Sequence, residues 1–290
     1  MAKQPSYWPA LVLKAGVIYM EMADDEKTDS ERLFRQLSDS SLAGLDRHLE
    51  KYPNDAYACF FKGTALGYYA IWEAQHGSWL KSIGKGLKAG KFLAAARNLD
   101  SLFFDPLIGL GNLHYWRSAK IGFLRNLPLI PDQREQGIEE LHLASRRSIY
   151  GQATAHLALG WIYFHKKDYG SALRMAEKAR DKGAVGRQYL WLKAFAEFQA
   201  GDFHGAIADF GAIREGLLRK KDQNNYNLIT CDYYIGLAYY RSKDKVSALA
   251  HLKRMFDYEI SETVADRLSK KFDSAKEHIK KITEAGADGR

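Results

Sequence analysis

Ala172 and Ala206 stand 34 residues apart, and each sits in a similar pattern of large and small side chains. Ahead of Ala172 run Leu159-Gly160-Trp161-Ile162-Tyr163 and Tyr169, and behind it come Ala176 and Ala179. Ahead of Ala206 lie Ala194 and Phe203, and behind it Phe210. Self-similarity at this period marks a chain that stacks copies of one supersecondary unit, each burying the apolar face of the next. A third copy holds Gly236, Tyr239, Ala248 and Leu252. From Ala206 to Ala248 the step is 42, eight residues beyond the period, and the polar run Arg219-Lys220-Lys221-Asp222-Gln223-Asn224-Asn225 supplies a loop for them.

Apolar residues recur at helical spacing nearly from end to end, and strand-like alternation is absent. Small residues at the crossing points let two helices approach closely, and the aromatics fill the gaps between successive pairs. Upstream the pattern loosens. Tyr52-Pro53-Asn54-Asp55 reads as a turn, Gly63 as a small crossing residue, and Ala94 and Pro106 stand twelve apart as a small residue and a closing proline would. Leu107 to Arg125 reads as a helix broken by Asn126-Leu127-Pro128-Leu129-Ile130-Pro131, after which Gly137, Leu141 and Ala144 fit another. Tyr7 to Met22 is an apolar helix without an obvious partner. Ser261 to Ile282 is a charged helix with Ser261 as N-cap, suited to cover the open end of a stack.

This pattern resembles the tetratricopeptide repeat family, most specifically over residues 152–257 and more loosely over 41–147. The resemblance implies an all-α, right-handed α-solenoid of about six antiparallel helix hairpins. Four segments follow: an apolar helix and cap over 1–28, irregular hairpins over 29–147, regular hairpins over 152–257, and a charged capping helix and tail over 258–290. It also implies a concave face lined by the first helix of each hairpin, at fixed offsets from the small residue. Those offsets send in Phe60, Thr64, Gly67 and Tyr68 from the Gly63 unit, and Leu157, Trp161, Phe164 and His165 from the Gly160 unit. From the Ala194 unit they send in Trp191, Phe195, Phe198 and Gln199, and from the Gly236 unit Tyr233, Leu237, Tyr240 and Arg241.

The projected face is an aromatic groove without the Lys, Arg and Asn set that would clamp a peptide carboxylate. An open apolar groove of that size exceeds what soluble monomers expose. Either the chain covers it, by closing tightly or by laying the helix Tyr7 to Met22 in it, or a partner does. The partner would be an apolar helix, an extended peptide or a second copy of the chain. The function expected is a non-enzymatic protein-interaction scaffold. The alternative is a solenoid that holds a hydrophobic small molecule or lipid in the same groove.

Other chemistries find little footing. The net charge of +8 is spread over short clusters such as Lys81-Lys85-Lys88-Lys91, Lys270-Lys271 and Lys280-Lys281. These read as solvated helix faces, and no nucleic-acid partner is expected. Cys59 and Cys231 fall in apolar stretches and read as buried free thiols. The nine histidines are dispersed without ligand spacing, so neither metal nor cofactor is expected. The run Gly84 to Phe92 has the wrong spacing for a phosphate loop and reads as a flexible helix junction. Asp24-Asp25-Glu26 and Glu139-Glu140 read as acidic helix ends that favour an N-terminal dipole or simply solvate. No stretch reaches the ~18 apolar residues of a membrane span. The N-terminus lacks a signal-peptide pattern, which points to the cytoplasm as the sequence stands, or to the cell envelope if an export signal has been removed.

Overall fold

The computed structural model describes residues 7–76, 79–120, 131–184, 186–220 and 223–287. Among them are thirteen α-helices and no strand. The fold is all-α, and the chain divides into two compact units.

Unit one takes in Met1–Ala23, Thr28–Ile162 and Asp181–Gly183. It carries α1 (Trp8–Asp25, as far as Ala23), α2 (Glu31–Lys51), α3 (Ala56–Gln75), α4 (Trp79–Leu99), α5 (Pro106–Lys120), α6 (Arg134–Arg147) and α7 (Gln152–His165, as far as Ile162). The apolar helix α1 does have partners. Ala15, Ile18, Tyr19 and Met22 pack on Phe34 of α2 and Trp72 of α3, and Val12 packs with Leu45, Ala58 and Ala65. The sequence hid α2 because two of its four buried positions are Ser38 and Ser41. The Ser41 hydroxyl donates to the Ser38 carbonyl at 2.8 Å, so the polar atom is satisfied inside.

The expected flexible junction at Gly84 to Phe92 is instead the interior of one continuous helix, α4. Of its three glycines, Gly90 serves packing: a Cβ there would lie 2.5 Å from Leu113 of α5. At the crossing of α5 and α6 backbone meets backbone: a Cβ on Gly111 would lie 2.7 Å from the Gly137 carbonyl oxygen, and one on Gly137 2.5 Å from that of Gly111. Buried Asp105 accepts from the backbone N–H of Ile149 at 2.9 Å and of Tyr150 at 3.0 Å, fixing the entry to α7. Residues 121–125 of the expected Leu107–Arg125 helix, and 126–130 of the break after it, lie outside the described residues.

Unit two takes in Asp24–Lys27, Tyr163–Arg180 and Ala184–Arg290. It carries α8 (Tyr169–Asp181, as far as Arg180), α9 (Gln188–Ala200), α10 (Phe203–Leu218), α11 (Tyr226–Arg241), α12 (Lys245–Arg254) and α13 (Glu262–Ala287). Ala194, Ala206, Phe210, Ile213, Leu228 and Cys231 form one core between α9, α10 and α11. Ile229, Leu252, Met255, Val264, Leu268 and Ala275 form another between α11, α12 and α13. The charged helix α13 thus buries one apolar stripe, each large side chain worth about 2 kcal/mol. Its first turn is capped as expected, Val264 N–H donating to Ser261 Oγ at 3.4 Å. Both cysteines are buried free thiols.

Asp232 of α11 is fully buried and ties this unit together. It accepts from Arg214 of α10 at 3.1 Å, from His251 of α12 at 2.7 Å and from Tyr258 at 2.7 Å. Among the described residues no helix is long and apolar enough to cross a membrane. Nor, among them, does any group of three or more His, Cys, Asp or Glu gather as metal ligands would.

Candidate partner-binding surfaces

The turns that lead into α8, α10 and α12 are built alike. Lys167, Gly201 and Lys243 each take a positive φ, of 62°, 86° and 70°. Glycine adopts that conformation freely, and lysine at a cost of about 1 kcal/mol. The next residue is aspartate every time, and its carboxylate caps the helix that follows. Asp168 accepts from the N–H of Ser171, Asp202 from that of Gly205 and Asp244 from that of Ser247, each at 3.0 Å. These aspartates keep the 34- and 42-residue steps of Ala172, Ala206 and Ala248, and all three alanines are wholly buried. At the α11–α12 crossing, a Cβ on Gly236 would lie 2.7 Å from Leu252. Over these hairpins the chain resembles tetratricopeptide repeats.

No family model matches the chain, and no curated protein does. Among solved structures, YrrB, described as a tetratricopeptide repeat protein with an unusual peptide-binding site, overlaps at a TM-score of 0.49 and 16% identity, covering 78% of this chain and 97% of that one. The Cut9–Hcn1 hetero-tetramer of the APC/C overlaps at 0.49 and 14%, over 82% of this chain and 44% of that one. A tetratricopeptide repeat protein from Parabacteroides merdae overlaps at 0.49 and 13%, over 96% of this chain and 97% of that one.

The projected aromatic residues do not share one environment. In unit one, Phe60 is half-buried with its ring 5.0 Å from that of Phe103. Tyr68 lies against α1, where a Cβ on Gly16 would meet its ring at 2.8 Å. Trp161 is half-buried on α7. In unit two, Trp191 stacks on Phe195 at 5.6 Å, and Phe164 lies 6.5 Å from Phe195. Phe195 and Phe198 both meet the edge of Tyr234, at 5.1 and 5.2 Å. Tyr233 and Tyr240 turn to α13 instead: the Tyr233 hydroxyl donates to Ser274 Oγ at 3.1 Å, and Tyr240 packs on His278 at 4.8 Å. His165 and Arg241 are exposed.

Tyr234 is a member of this aromatic group that the offsets miss. It stacks on Phe210 at 5.2 Å, and the doublet Tyr233-Tyr234 is its signal in the sequence. Glu197 fills a slot where the repeat pattern favours an aromatic. It is buried, pairs with Lys193 at 2.8 Å, and leaves Oε2 without a hydrogen bond. Lys193 also reaches Asp209 at 2.6 Å. Burial, with the nearby Asp209 charge adding to it, pushes the Glu197 carboxyl up to about 7 against the pull of Lys193.

Proposed function

We propose that the protein is a non-enzymatic interaction scaffold that docks an apolar helix or extended peptide on the aromatic strip of α9. The observation that carries this reading is the spacing of Trp191, Phe195 and Phe198. They lie at i, i+4 and i+7 on one helix, all half-buried. Stacking and edge contacts hold the rings in place, so little rotamer freedom is lost on binding. Such residues are the usual hot spots of interfaces, each costing about 2 kcal/mol or more on truncation. Exposed His165, Lys166, Lys167 and Arg241 belong to the rim, where charge sets orientation and on-rate more than affinity.

The test is selection of binders from a library of random helical peptides on the immobilised full chain. Enriched peptides should share apolar residues at helical spacing, and Trp191→Ala should weaken them roughly tenfold or more with helicity unchanged. If Trp191→Ala unfolds the chain, the strip is core and the docking reading fails. A small apolar mass retained by the purified protein in native mass spectrometry would replace the peptide with a hydrophobic ligand.

A further inference from the structure

The sequence places Asp24, Asp25 and Glu26 at the C-terminal end of α1. That is the unfavourable end for carboxylates, because the last helical carbonyls already carry partial negative charge. Glu26 moreover takes a φ of 55°, a left-handed conformation that a long side chain seldom adopts. Local preference therefore does not account for this segment. Its contacts within unit two do.

Each acid meets a cation. Arg187, at the start of α9, donates to both oxygens of Asp24 and, at 2.9 Å, to Asp25 Oδ1. Lys220 donates to the same Asp25 oxygen, and Arg267 of α13 to Glu26 Oε2. The main chain is held as well. Asn227 Nδ2 donates to the Asp24 carbonyl and Asn224 Nδ2 to the Glu26 carbonyl, both at 2.7 Å. Asn227 is itself buried. Two amides thus read carbonyls at i and i+2, while cations read the carboxylates at i, i+1 and i+2. Arg187 adjoins the N-terminal end of α9, and Asn224 and Asn227 lie at that of α11.

We propose that Arg187, Lys220, Asn224, Asn227 and Arg267 form a binding site for acidic peptide segments, occupied in this structure by the chain's own Asp24-Asp25-Glu26. The site recognises what any such segment offers: three consecutive carboxylates and two alternate backbone carbonyls. A tethered occupant competes at an effective concentration of order mM. An acidic peptide added to the unaltered chain therefore binds poorly, and the site becomes available when the resident acids are neutralised.

The experiment is fluorescence anisotropy of a labelled peptide of residues 20–29 against the full chain. The comparison is with the triple variant Asp24→Asn, Asp25→Asn, Glu26→Gln, at two salt concentrations. The triple variant should bind at least roughly tenfold more tightly than the unaltered chain, and less tightly at higher salt. Adding Arg187→Glu should abolish that gain, as should replacing the three acids of the peptide by amides. A folded triple variant that gains no affinity overturns the proposal. So does one that takes a labelled RNA oligonucleotide as readily as the peptide, since the cradle would then attract any polyanion. If the triple variant does not fold, Glu26→Gln alone keeps the test open, because that side chain is a third exposed. It should gain roughly threefold, and no gain there rejects the site.

Discussion

The hydroxyl of Tyr258 donates to the carboxylate of Asp232 across 2.7 Å, with Asp232 wholly out of water. Burial by itself would push this carboxyl up. Hydrogen bonds from His251, Tyr258 and Arg214 outweigh it and hold the group below the usual aspartate value. Removing one partner of a buried ionic network strands the others. Asp232→Asn should therefore destabilise by about 3–5 kcal/mol, and Tyr258→Phe by about 1–3 kcal/mol. Thermal unfolding followed by circular dichroism checks both, and an unchanged midpoint for Asp232→Asn would show the network to be dispensable.

The depressed Asp232 value gives an acid limit to stability. The stabilisation is fully present above the unfolded aspartate pKa of about 3.9, and it is lost as pH falls through the lower folded value. Melting temperature should fall steeply below about pH 4 in the parent chain and less steeply in Asp232→Asn.

Glu197 works in the opposite sense. Its folded value of about 7 lies above the unfolded glutamate value, so the fold favours the protonated form. That contribution is present below about pH 4.3 and lost as pH rises through the folded value. Glu197→Gln should raise the melting temperature at pH 8 and do so much less at pH 5. A gain that is the same at both pH values would contradict the shift.

Much of this is legible in the sequence, and the rest is hidden for identifiable reasons. Ala172, Ala206 and Ala248 give away the hairpins because close helix crossings tolerate little else. The first hairpin partner of α1 stays hidden behind Ser38 and Ser41, whose polarity breaks the apolar pattern of α2. The basic cradle is least legible. Arg187, the stretch that holds Lys220, Asn224 and Asn227, and Arg267 are far apart in the sequence, and none of the three alone points to a ligand. Asp24-Asp25-Glu26 reads as solvating too, whereas the structure binds it. One clue is available: three acids at the C-terminal end of an apolar helix need an external source of positive charge. Another is the polar run between α10 and α11, which carries Lys220 and Asn224, although the residues beyond the repeat period mostly lengthen α10 and α11 themselves.

Glycine substitutions separate packing from flexibility. Gly211 lies inside α10, and a Cβ there would find no atom within 4 Å. Gly211→Ala should stabilise by about 1 kcal/mol, the helix-propensity difference. Gly90→Ala should destabilise instead, because the added carbon meets Leu113 of α5. Opposite shifts in melting temperature are the expected result.

Ending the chain after Ser261 removes α13 and uncovers Leu252, Met255, Tyr233 and Tyr240. The truncated protein should bind an apolar dye severalfold more strongly and sediment as larger species, roughly as an uncapped repeat array does. A monomer with unchanged dye binding would show that α13 is not a cap.

The crossing of Gly111 and Gly137 has a genetic consequence. Two helical backbones touch there with hydrogen as the only side chain on either side. Every missense change of either codon introduces a β-carbon, whatever else it introduces. Neither position has a conservative neighbour in the genetic code, and drift elsewhere on α5 and α6 must proceed around two fixed letters.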